Sequence, residues 1–151
     1  MIRRLLSLLT QLFHYWFGVT AIHERAQMVV ANYEGVAGHV AFTFQSGKFF
    51  YADFPSVLWW QDLTIGLAGG MIVAAGFGIL WAIQHWQGKV SPSELDTAAI
   101  FAVITIFQFI YGIADGLDRW VTPAELIGTI TAVVISGKLY GKRLLLWLEG
   151  T

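Results

Sequence analysis

The residues best equipped for chemistry form one run, His23-Glu24-Arg25-Ala26-Gln27. His23 and Gln27 are four apart, so a helix presents both on one face. Glu24 lies beside His23, and Glu34, eleven residues beyond His23, returns to the same face. Two metal ligands at this spacing, with a carboxylate at hand to take a proton from bound water, make the arrangement of helical zinc hydrolysis. The second ligand position here holds Gln, whose amide oxygen is a poor zinc ligand beside imidazole, thiolate or carboxylate. A further carboxylate, Asp115, ends another apolar stretch. His23 is 18 residues past Leu5 and Asp115 is 18 past Thr97, each about 27 Å along a helix. If those two helices run parallel, His23, Glu24, Gln27, Asp62 and Asp115 converge near one membrane face. Ionisable groups inside a membrane are functional candidates, although polar residues are ordinary at helix ends.

The elements that must position these residues are membrane helices. Of the 151 residues, 56% are hydrophobic and 13% charged, about half the charge of a soluble domain. About 20 apolar residues cross a bilayer core. Leu63–Ile83 and Thr97–Ala114 satisfy this best, the latter with Gln108 as its one strongly polar side chain. Leu5–Ile22 and a stretch from Leu126 to about Trp147 follow, the last with Lys138, Lys142 and Arg143 snorkelling from its second half. Ser91-Pro92-Ser93-Glu94 and Thr122-Pro123-Ala124-Glu125 read as capping boxes with Pro at the first helical position. Gly116 is a C-terminal cap candidate. Between the first two helices, Val40, Phe42 and Phe44 alternate with smaller residues and lead through Ser46-Gly47 into Phe49-Phe50-Tyr51, a β-hairpin pattern.

The sequence therefore predicts one mainly α domain over 1–151: a polytopic membrane bundle of about four transmembrane helices (5–34, 62–86, 92–115 and 123–148) with a hairpin at 39–54 between the first two. Arg3 and Arg4 before an apolar run resemble a signal-peptide start, but Gln11, His14, Tyr15 and Trp16 interrupt the run, so a retained helix is expected. With both termini cytoplasmic, the inner side holds Arg3, Arg4, Lys89, Lys138, Lys142 and Arg143, against Arg25, Lys48 and Arg119 outside. Six against three favours that orientation. The net charge of −1 and lack of cysteine argue against nucleic acid and against disulfides, thiolate catalysis or cysteine metal sites. Small residues repeat every four positions in the second helix (Gly66, Gly70, Ala74, Gly78, Ala82) and in the fourth (Gly128, Ala132, Ser136). Such stripes let helices approach closely, either within the chain or against a partner.

The run Ile22–Ala31 resembles the H-E-x-x-H helix of site-2-protease-like intramembrane zinc metalloproteases. A short β-rich connector follows it. Asp62-Leu63-Thr64-Ile65-Gly66-Leu67-Ala68-Gly69-Gly70 resembles that family's next helix, and Asp115-Gly116 its later Asp-Gly. The resemblance covers roughly residues 15–118. It implies His23 as first zinc ligand, Glu24 as general base and Asp115 as third ligand. It breaks at Gln27, in the second ligand position, at Gly70 where Pro is expected, and at Gly112-Ile113-Ala114, which lacks Asn-Pro.

Three functions compete. The preferred one is a non-catalytic, pseudoprotease-like subunit of a membrane assembly, working through contacts with lipid and with other transmembrane proteins or itself, without cofactor. The second is an active zinc protease in which another residue, such as His39, replaces the missing ligand. The third is an accessory subunit of an energy-converting or photosynthetic complex, with His14 or His85 toward pigment or haem. Trp59, Trp60 and Trp120 read as interfacial anchors, Asp118 and Arg119 as a solvated loop pair, and Gln108 as an interhelical hydrogen bonder.

Overall fold

The computed structural model describes residues 2–42, 47–86, 95–117 and 121–149. Four helices run in order, α1 (Ile2–Tyr33), α2 (Trp59–Trp86), α3 (Leu95–Gly116) and α4 (Val121–Glu149). An antiparallel hairpin, β1 (Gly38–Phe42) and β2 (Gly47–Tyr51), lies between α1 and α2. The mainly helical bundle with its hairpin is thus as the sequence implies. The hairpin ends earlier than expected, because Phe54–Ser56 form a 3-10 turn instead. The α2 helix also starts three residues sooner than expected, at Trp59, with Trp59 and Trp60 both exposed. Ser91–Glu94, the turn residue Ser46, Lys89 and Asp118–Trp120 lie outside the described residues. At the other capping box, α4 begins at Val121, so Pro123 sits in its first turn, where a helix needs no N–H donor.

Among the described residues, α1, α2 and the Thr97–Gly116 part of α3 are long and apolar enough to cross a membrane. The α4 helix has 29 residues. Its Leu126, Ile127, Ile130 and Val133 side chains are exposed, and charge gathers in its second half. The start of α1 and the end of α4 meet at one end of the bundle: the Arg4 guanidinium bonds the Trp147 carbonyl and lies over the Trp147 ring.

The α1 helix stops by a glycine cap. Gly35 has φ of 74°. The Gly35 N–H bonds the Asn32 carbonyl, and the Val36 N–H bonds the Ala31 carbonyl at 2.8 Å, which is the Schellman arrangement. Val36 then packs with Ala31, Phe49 and Ile65, fastening the hairpin to α1 and α2. Glu34 falls past the last helical turn and accepts a hydrogen bond from the Thr64 hydroxyl at 2.6 Å, so it does not join the His23 face.

The small-residue stripes are spent inside the chain. A Cβ on Gly70 would stand 2.3 Å from Gly112 Cα, and one on Gly66 would stand 2.7 Å from Gly116 Cα. The α2 and α3 backbones therefore touch at Gly66 and Gly70, Ala74 is buried, a Cβ on Gly78 would meet the Thr105 side chain, and the stripe ends before Ala82, which is exposed. Gly116 is the last residue of α3 rather than a cap outside it, and it lacks a Cβ because Leu67 lies against it. On α4, Gly128 faces Phe107 and Ile110, Ala132 is buried, and the Ser136 hydroxyl bonds the Ala99 carbonyl at 3.3 Å.

Candidate functional site

The parallel course of α1 and α3 carries His23 and Asp115 to the same level. His23 Nε2 lies 3.4 Å from Asp115 Oδ2. The Gln27 Nε2 donates to that same oxygen at 2.7 Å and lies 3.4 Å from His23 Nε2. The other ring nitrogen, His23 Nδ1, lies 3.1 Å from Gln108 Oε1. Gln108 is thus the interhelical hydrogen bonder expected of it, with His23 as its partner. His23, Gln27 and Gln108 are buried at 4%, 8% and 5% exposure, and unmet polar groups at that depth are costly. Closing the set with mutual hydrogen bonds removes the cost.

Gln108 offers an acceptor oxygen to Nδ1, so in the neutral ring the proton sits on Nδ1 and Nε2 presents its lone pair. The amide of Gln27 must then face the cluster with its NH₂ group, because its oxygen would otherwise stand against the Asp115 carboxylate. One NH₂ group, with two hydrogens, spans His23 Nε2 and Asp115 Oδ2.

Glycines make room for this. A Cβ on Gly69 would stand 2.4 Å from His23 Nε2, so α2 provides a bare floor under the imidazole. Tyr111 meets the ring edge-on from α3. Glu24, buried like His23, accepts a hydrogen bond from the Phe49 backbone N–H. The carboxylate next to His23 therefore fastens the outer edge of β2 to α1. A Cβ on Gly47 would meet both Phe42 and Glu24, which keeps this approach tight.

Beside the cluster is a cavity of about 580 Å³, reached by His23, Glu24, Gln27, Asp62 and Asp115 and walled by β2. Asp62 shares the cavity without touching His23; it accepts a hydrogen bond from the Tyr51 hydroxyl at 2.7 Å. His39 is not brought in. It pairs with Phe50 in the hairpin register and stacks on that ring, on the exposed face. Strand alternation gives the inward face to Val40 and Phe49 instead. His14 bonds the Thr10 carbonyl on an exposed face of α1, and His85 is exposed at the end of α2.

Among the described residues, no three His, Cys, Asp or Glu side chains gather to hold a metal ion. A catalytic zinc needs three protein ligands and an open position. His23 and Asp115 supply two, and Gln27 presents N–H donors that repel a cation. The donor set as it stands does not fit that ion.

Of these participants, Gly69, Tyr111 and Phe49 carry no mark in the sequence as parts of a site. Comparison with protein-family models, with curated proteins and with solved structures finds no match to this chain.

Proposed function

We propose that this chain is a non-catalytic, site-2-protease-like membrane protein that acts by holding a membrane partner at the cavity beside His23, Gln27 and Asp115. The observation that carries the reading is the 2.7 Å hydrogen bond from Gln27 to Asp115, which uses for internal closure the groups that hydrolysis would need free. The engagement of Glu24 by the Phe49 N–H gives the carboxylate beside His23 a structural part in holding the hairpin to α1. The layout of helix, hairpin and two further helices supports the resemblance. In this reading the chain crosses the bilayer four times, with α4 as the fourth crossing and its Lys138, Lys142 and Arg143 in the headgroups. Both termini are cytoplasmic and the cavity faces the outer side. The meeting of Arg4 with Trp147 is what an even number of crossings requires.

The test is a photo-crosslinking residue at Phe54, an exposed side chain on the cavity wall, compared with one at Phe109, an exposed side chain of α3. In native membranes, Phe54 should trap a polypeptide of defined mass and Phe109 only lipid. Trapping of lipid alone at both positions overturns the proposal. So does cleavage of the trapped polypeptide by the native chain and not by Glu24→Gln.

A further inference from the structure

The three atoms at the centre of the cluster keep the spacing of a coordination shell. A tetrahedral zinc ion with ligands at about 2.0–2.1 Å sets neighbouring donor atoms about 3.3 Å apart. His23 Nε2 stands 3.4 Å from Asp115 Oδ2 and 3.4 Å from the Gln27 amide. The edge from Gln27 to Asp115 is shorter, at 2.7 Å, because a hydrogen bond draws it in. The three come from rigid places: one helix supplies His23 and Gln27 at adjacent turns, and α3 is locked to α2 by backbone contact at Gly70 and Gly112. Gly69 leaves the space under the imidazole empty of side chain.

We infer that the Gln27 NH₂ group does the work of a cation, bridging two acceptors, and that this one side chain keeps an otherwise complete divalent-metal frame free of metal. The inference rests on the non-catalytic reading and extends it. In the native chain the positive end of an amide dipole faces the ring lone pair and the carboxylate, so their mutual repulsion is relieved without an ion. An imidazole or a carboxylate at the same position has no such donor pair to offer. It would leave three lone-pair donors converging on one point, the condition under which a cation is bound.

The experiment uses the full chain purified in detergent and loaded with zinc or with cobalt alone, on the native sequence, Gln27→His and Gln27→Glu. Elemental analysis should rise from none in the native chain to about one ion per chain in Gln27→His, the number a single three-ligand site takes. Cobalt should give the visible absorption of a four-coordinate ion in that variant. Adding His23→Ala should abolish both. If Gln27→His and Gln27→Glu fold as the native chain does and neither binds an ion, the inference fails and the proposed function stands. If neither variant folds, the inference also fails, because a frame that rejects both ligands is not poised for them. If the native chain itself holds one ion that His23→Ala removes, the inference and the non-catalytic reading fall together.

Discussion

The two ends of the bundle solve the same problem with different chemistry. At the hairpin end, an apolar cluster of Ala31, Val36, Phe49 and Ile65 lies beside buried His23, Gln27 and Gln108, which are tied to one another and to Asp115, and the α2 and α3 backbones touch at Gly66 and Gly70. At the other end, Leu95, Ala98, Ala99, Ala102 and Tyr140 form an apolar core flanked by Trp81, Leu144 and Trp147. Among its polar contacts is the bond from Trp81 Nε1–H to the Tyr140 hydroxyl at 2.6 Å. Small side chains serve both ends, but to different purposes. At the apolar end they admit large neighbours, whereas at the hairpin end they admit backbone and a charged cluster. An apolar end can repack around a lost methyl group. A network in which every member satisfies another has no slack.

That contrast can be broken in order of severity. Gly70→Leu drives a side chain into the Gly112 backbone, which cannot move aside, and should destabilise the bundle by about 3 kcal/mol or more, read as a lower denaturant midpoint in mixed micelles. Asp115→Ala leaves the Gln27 NH₂ group buried with one acceptor fewer. A loss of about 2 kcal/mol is expected, and Asp115→Asn, which restores an oxygen, should recover most of it. Trp81→Phe removes the bond to the Tyr140 hydroxyl at the other end and should cost only about 1 kcal/mol. An equal or larger loss than for Asp115→Ala would refute the idea that the ends differ in slack. Gly137→Ala, where a Cβ meets no atom within 4 Å, should lie within about half a kcal/mol of the native chain.

The meeting of His23 with Asp115 was legible because equal helical rise from two helix starts is a matter of counting. The hairpin was legible from its alternation, and the packing stripes from a four-residue period. What counting along one helix does not give is rotation about its neighbours. Nothing in Gly66 or Gly70 says whether they face this chain or another; Gly112 and Gly116 answer it only once α3 is placed. The same holds for Gly69, which matters because an imidazole from α1 lies over it. His39 was a plausible ligand by residue type and is removed by parity, since its neighbour Val40, not His39, shares the inward side with Phe49. The cap at Gly35 left a readable trace, Glu34-Gly35-Val36 after a long helix, whereas the end of α3 was misjudged because Gly116 serves close approach and not chain reversal.

The contact of Arg4 with Trp147 has a consequence for biosynthesis. Arg4, in the first turns of α1, is made well before Trp147, the residue it clasps, which lies 143 positions further along the chain. Until then α1 is held by α2 and α3 at its middle, where Tyr15 packs on Phe77 and Phe101, and by α2 and the hairpin at its far end. The Arg4 clasp can close only after the last turns of α4 are made.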